Sequence, residues 1–135
     1  MRSDLVEVTT HDLMKVITLA VITEGKLLLV KKLDSWIIPG GKIKSGESHG
    51  ECLVRELREE LQTEIVIRDF YGRFEGITPI SKRQACVSVY FGTINGVINP
   101  SAEISDARLI RNFRDYNLAE ISKKIVESFK SNGYL

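Results

Sequence analysis

Three glutamates, Glu56, Glu59 and Glu60, are crowded into the segment Arg55-Glu56-Leu57-Arg58-Glu59-Glu60. At about 100° per helical residue, Glu59 falls roughly 60° to one side of Glu56 and Glu60 roughly 40° to the other, so the three carboxylates share one face. Such a face suits hard cations. Mg2+ and Mn2+ take oxygen ligands, whereas zinc favours thiolate and imidazole. A plainer reading stands beside it: Arg55 can pair with Glu59, and a Glu-rich amphipathic helix is an ordinary solvated surface. What weighs against the plain reading is the fixed spacing from an upstream turn, Trp36-Ile37-Ile38-Pro39-Gly40-Gly41. Pro39 cannot continue a strand ladder, and the glycines let the main chain approach a bound ion.

The carboxylates need a helix, and the sequence marks one at its start. Ser48 followed by Glu51 fits a capping box, with Ser48 as N-cap of a helix running to about Leu61. Leu53, Leu57 and Leu61 recur on a face away from the acids, so one side can be buried while the acids stay accessible. His49 at the helix start reads as a surface or supporting residue. Residues 13–23 and 26–32, joined at Glu24-Gly25, have the composition of a hairpin. Residues 27–30 are apolar on both faces, which places them in a sheet covered on two sides by helices. Further strands are expected over 64–69, 70–77 and 83–94, the last from the alternation of Val87, Val89 and Phe91 with Ser88 and Tyr90. Asn95-Gly96 reads as a turn before a brief Val97-Ile98 strand. A last helix over 118–131 carries the stripe Leu118, Ile121, Ile125, Val126 and Phe129 and stops at Asn132-Gly133. Residues 1–12 read as an irregular lead-in or short edge strand, with His11 exposed.

The length of 135 residues and 43% hydrophobic content suit one domain with a real core. Lys plus Arg number 19 against 18 Asp plus Glu, without the basic excess of a protein that lives on nucleic acid. Cys52 and Cys86 read as small buried hydrophobes in a reducing compartment. The sequence shows neither a basic-then-apolar leader nor a long apolar run, so the expected location is the cytoplasm, with no membrane partner.

The order Gly41, five residues, Glu47, seven residues, Arg55-Glu56-Leu57, then Glu59-Glu60 resembles the Nudix box, the signature of hydrolases that cut nucleoside diphosphates linked to another group. It departs at Gln62-Thr63, where that pattern has a glycine and an aliphatic residue. Gln62 would enter a left-handed helix exit only at a cost. The resemblance implies an α/β fold, a mixed sheet sandwiched between helices, as a single domain over 1–135. It implies Glu56, Glu59 and Glu60 as ligands of Mg2+ or Mn2+, with the Gly40 carbonyl as a further ligand. Arg55 would orient a neighbouring glutamate, and Glu47 would support the loop or reach metal through water. The water-activating base is Glu56 or an acid of a late loop, Glu103 or Asp106. The segment from Glu103 to Ile110 is similar to a late family segment in which acids precede a short strand.

The implied substrate is a small nucleotide, in two classes that stay open. One is a nucleoside triphosphate, oxidised or not, cleaved to monophosphate and pyrophosphate. The other is ADP-ribose or another nucleoside diphosphate sugar, for which Pro79 is a near match to a proline of similar hydrolases. A non-catalytic nucleotide-binding regulator is a third reading. Trp36 could stack on a base or pack in the core. Arg73, Lys82 and Arg83 could meet phosphate or stay solvated. No stable nucleic-acid partner is expected. A homodimer would use the N-terminal strand or a sheet edge.

Overall fold

The computed structural model describes residues 13–135, so the expectations for residues 1–12 and His11 lie outside the described residues. The chain runs β1 (Met14–Ala20), β2 (Ile22–Thr23), β3 (Lys26–Lys32), β4 (Ser35–Ile37), β5 (Gly40–Lys42), α1 (His49–Leu61), β6 (Glu64–Ile77), β7 (Gln84–Asn95), β8 (Ile104–Ile110) and α2 (Glu120–Ser131). A 3₁₀ turn at Phe113–Asp115 precedes α2.

Two sheets form. The first is mixed, in the order β5-β1-β7-β6, with β1 parallel to β7 and the outer pairs antiparallel. The second is antiparallel, with β2, β4 and β8 all paired to β3. Period-two alternation sends the side chains of the central strands to two cores. Ile17, Leu19 and Val21, with Leu28 and Val30, pack against Leu53, Leu57 and Leu61 of α1. Ala20, Leu27, Leu29, Val87 and Val89 pack against Ile121, Ile125, Val126 and Phe129 of α2. Leu27 to Val30 are fully buried, because both faces of β3 are covered. The α/β class and the helix-flanked mixed sheet are therefore as the sequence implied. Burying each of these leucines contributes about 1.5–3 kcal/mol, which fixes α1 firmly against the sheets.

Several local expectations need correction. The chain turns away at Val21, so β1 joins the mixed sheet and only Ile22–Thr23 pairs with β3. Tertiary pairing with β7 along seven register positions outweighs the local hairpin. Residues 64–77 make one strand, not two, with register shifts between Ile67 and Phe70 and between Phe70 and Gly72. Those bulges absorb the bend that the glycines suggested. Val97-Ile98 is not a strand; the loop there is tied to α1 instead. The last helix starts at Glu120, because Leu118 bridges to Trp36 and Ala119 acts as N-cap. Both cysteines are free, Cys52 buried and Cys86 only half-buried. No helix among the described residues is long and apolar enough to cross a membrane.

Candidate active site

Helix α1 begins with a complete capping box. The Glu51 N–H donates to Ser48 Oγ at 3.1 Å, and the Ser48 N–H donates to Glu51 Oε1 at 2.9 Å. Two otherwise orphaned donors are thus satisfied, fixing the rotation of the acidic face. At the other end Gln62 is left-handed, φ 54 and ψ 41, and its N–H donates to the Arg58 carbonyl at 3.0 Å. Thr63 is buried, with its hydroxyl donating to the Asn95 carbonyl at 2.8 Å, so the departure from the box pattern is accommodated by the end of β7. The next carbonyls of α1 are taken by the following loop: the Asn99 N–H donates to Leu61 O and the Ser101 N–H to Glu60 O, both at 2.9 Å. The Ser101 hydroxyl donates to Glu59 O.

Arg55 is the hub of the acidic face. Its Nε donates to Glu47 Oε2 at 2.5 Å and its Nη2 to Glu47 Oε1 at 2.9 Å, a bidentate pair. Its Nη1 reaches Glu56 Oε2 at 2.9 Å and Glu59 Oε1 at 3.2 Å, and its Nη2 also reaches the Lys42 carbonyl at 3.2 Å. The guanidinium holds the Glu47 carboxyl well below its ordinary range, at about 2. Glu47 in turn accepts the Lys44 N–H at 2.9 Å, which ties the loop between β5 and α1 to the helix. Arg58 points elsewhere, pairing with Glu64 at 2.9 Å.

The carboxylates differ in depth. Glu60 is 4% exposed, while the Glu59 side chain is half exposed. Glu60 Oε1 accepts a long 3.4 Å hydrogen bond from the Gly40 N–H. Burial and the neighbouring Glu56 charge push the Glu60 carboxyl well above the usual carboxylate range. Gly41 lies directly against the Glu56 carboxylate. Gly40, at φ 145, faces the β1 backbone, where a Cβ would meet the Ile17 carbonyl oxygen at 2.0 Å. Both glycines are needed for close approach, one to strand β1 and one to Glu56.

The donor set fits a hard divalent cation. Two carboxylates, one buried, crowd each other beside a main-chain turn, and a cation would offset the burial and repulsion that otherwise hold a proton on Glu60. The nearby Cys52 thiol is pushed up to about 11 by burial, so it stays a thiol, its Sγ donating to Gly41 O at 3.6 Å. Among the described residues no three His, Cys, Asp or Glu side chains already form a closed cage. Arg55 draws Glu56 and Glu59 toward itself instead.

Beside this face lies a largely apolar cavity of about 300 Å³ between the mixed sheet and α2. Its walls include Val16, Thr18, Ile38, Gly40, Ile121 and Ser122, and the 78–81 turn stands at its edge. Lys42 borders both this cavity and the acidic groove of Arg55, Glu56 and Glu59. Sequence reading passed over Lys42, whose only signal was its place immediately after Gly41.

The remaining expected residues scatter. Glu103 is mostly exposed and pairs with Lys32 at 3.1 Å, and Lys32 lines the cavity, so Glu103 is held near the site. Asp106 instead pairs with Arg108 at 3.0 Å. Trp36 is 7% exposed, edge-on to Tyr116 with Arg108 over its ring, so it offers no open face to a base. Arg73 lies exposed on the edge strand β6 over Phe70, lining neither the cavity nor the groove. Lys82 and Arg83 are exposed just past the turn that edges the cavity. His49 Nδ1 lies 2.7 Å from the Tyr90 hydroxyl, a packing contact of α1 on the sheet.

In this α/β sandwich Glu56 and Glu60 of one helix lie against a glycine corner that also lines the adjoining apolar cavity. The NUDIX domain model matches residues 14–129, and the chain belongs to the Nudix family. It is 41% identical over 54 residues to the uncharacterized Nudix hydrolase YvcI of Bacillus subtilis (strain 168), covering 38% of this chain and 34% of that protein. It is 33% identical over 64 residues to the CTP pyrophosphohydrolase of Escherichia coli (strain K12), covering 43% of this chain and 47% of that protein. The matches thus span between about a third and a half of these curated relatives. The solution structure of the E. coli ORF135 protein shares the fold, with a TM-score of 0.73 and 24% identity over 88% of this chain and 89% of that one.

Proposed function

We propose that the protein is a divalent-cation-dependent pyrophosphohydrolase that cleaves a nucleoside triphosphate to the monophosphate and pyrophosphate. The supporting observation is a junction: the apolar cavity and the acidic groove share Lys42 as a wall, and Gly40-Gly41 runs between them. A base seated in the cavity would lead its phosphates past Lys42 onto the carboxylate face. Glu56, Glu59, Glu60 and the Gly40 carbonyl would hold Mg2+ or Mn2+. When bound, the cation neutralises phosphate charge and makes water a better nucleophile.

The chain's own residues do the rest. The cavity binds and orients the base, and the Lys42 ammonium meets the phosphate charge. Arg55 fixes the Glu56 carboxylate and, through Glu47, the loop that leads into α1. Water adds at phosphorus, the bridging P–O bond breaks, and the water's proton passes to Glu56 or Glu103, the two candidate bases. Free Cys52 and Cys86 are compatible with action in the reducing cytoplasm.

A product screen with either metal over nucleoside triphosphates, oxidised guanine triphosphates, ADP-ribose and nucleotide sugars tests the proposal. Monophosphate plus pyrophosphate supports it. AMP plus ribose 5-phosphate selects the diphosphate-sugar reading, which the position of Pro79 at the cavity favours. No turnover with any of them moves the protein to a binding role.

A further inference from the structure

Thr18 breaks the pattern of its own strand. Along β1 the even positions face the α2 side, where Met14, Val16 and Ala20 are apolar and Thr18 is not. Thr18 is 6% exposed, and among the described residues its Oγ1 is the one buried side-chain oxygen or nitrogen without a hydrogen-bond partner. Buried polar groups in folded proteins are nearly always partnered, so an orphan that lines a cavity points to what enters the cavity. On the α2 wall, Ser122 Oγ accepts the Ile38 N–H at 3.2 Å and keeps its own hydrogen to donate. Among the described lining residues the other two hydroxyls, Thr78 and Ser81, are bonded to each other at the cavity's edge, which leaves one hydroxyl from the sheet and one from the helix on its side walls, with Lys32 and Lys42 as the ionisable groups.

We propose that Thr18 is a specificity-determining residue, its hydroxyl hydrogen-bonding a polar edge atom of a flat, uncharged heterocycle held in this cavity, with Ser122 donating from the opposite wall. The inference rests on the nucleotide reading above and names how that site chooses its base. Apolar walls bury the ring faces without distinguishing one base from another, whereas a buried hydroxyl rejects a ring that leaves it unpaired. Discrimination thus resides in Thr18 and Ser122.

Thr18→Val keeps the shape and removes the hydroxyl, and Thr18→Ser keeps the hydroxyl. Two readouts are taken on each purified protein: steady-state kinetics across the nucleoside triphosphates, and calorimetric binding of nucleoside monophosphates without metal. Thr18→Val should raise KM for the preferred base about tenfold with kcat within about threefold, and weaken the matching monophosphate by a similar factor. The preference among bases should flatten, and Thr18→Ser should retain it. The ligand-free Tm of Thr18→Val should hold or rise, since an unpartnered buried hydroxyl is lost. Unchanged KM and unchanged monophosphate affinity at an equal or higher Tm overturn the proposal. If the wild type turns over no nucleotide yet binds a monophosphate through Thr18, the inference stands and the hydrolase reading falls. If it neither turns over nor binds any nucleotide, both fall.

Discussion

Gly41 and Glu56 share a space that only a glycine leaves open: a Cβ at residue 41 would stand 2.3 Å from Glu56 Cδ and 2.4 and 2.5 Å from its two carboxylate oxygens. The clash is with the far end of a flexible side chain, so the fold can yield while the carboxylate moves. Gly41→Ala should therefore keep a cooperative melt and lower turnover by roughly 100-fold, the usual penalty for a displacement of about 1 Å at a reacting centre. Near-normal turnover in that variant would show that the Glu56 position does not matter.

Glu59→Gln and Glu60→Gln should each reduce turnover by roughly two orders of magnitude or more while leaving the circular dichroism spectrum unchanged. Glu60→Gln tests the buried carboxylate of the proposed cation site and Glu59→Gln the exposed one. Activity close to wild type in either would remove that residue from the cation site.

Arg55→Lys isolates geometry from charge. Lysine cannot make the bidentate pair with Glu47 while also reaching Glu56, Glu59 and the Lys42 carbonyl. Turnover should fall roughly 10- to 100-fold, and the apparent metal affinity should weaken in titrations of activity against Mg2+. A fall in turnover without any change in the metal titration would place Arg55 outside the positioning of the ligands.

The Glu60 carboxyl keeps its proton in the folded, cation-free protein at pH values where the unfolded chain, near the ordinary 4.5, has lost it. Folding takes up a proton above pH 4.5, so the cation-free protein loses stability as pH rises from there until the folded carboxyl ionises. Glu47, held down to about 2, acts in the opposite sense: its contribution is present above pH 4.5 and lost as pH falls toward 2. Denaturant midpoints measured in chelator should show the alkaline decline, and Glu60→Gln should flatten it. A Glu60→Gln profile that parallels wild type would rule out the buried Glu60 carboxyl as its source.

Gln62→Gly should stabilise the protein. The left-handed conformation at φ 54 costs a side-chain residue about 1–2 kcal/mol, and glycine's extra freedom in the unfolded chain offsets part of the gain. The expected net is about 0.5–1 kcal/mol, read as a Tm higher by about 2–4 °C. An unchanged or lower Tm would mean that the loop contacts to Glu60 O and Leu61 O already relieve the strain.

The helix that carries the acids was legible residue by residue. Ser48 and Glu51 mark its start, and the leucine repeat orients it; both depend on neighbours within one or two helical turns, which sequence displays directly. The strands were legible as strands but not as partners. Residues 13–23 looked like half of a hairpin because local pattern cannot see the seven-position parallel ladder with β7 that captures them. The same blindness left Trp36 open as a stacking surface until Tyr116 and Arg108, about 70 or more residues on, were found against its ring.

By itself, then, the sequence determined the identity and face of Glu56, Glu59 and Glu60, the glycines before them and the depth of β3, because periodicity and fixed spacing are local quantities. Tertiary structure alone decided that Glu60 is the buried carboxylate and Glu59 the exposed one, and that Arg55 gathers Glu47, Glu56 and Glu59. It also placed Lys42 and Thr18 in the wall of the same cavity, and kept Arg73 out of it. Each of those outcomes depends on which surfaces meet when distant segments pack, and burial, hydrogen-bond partners and the enclosure of a cavity do not exist until they do.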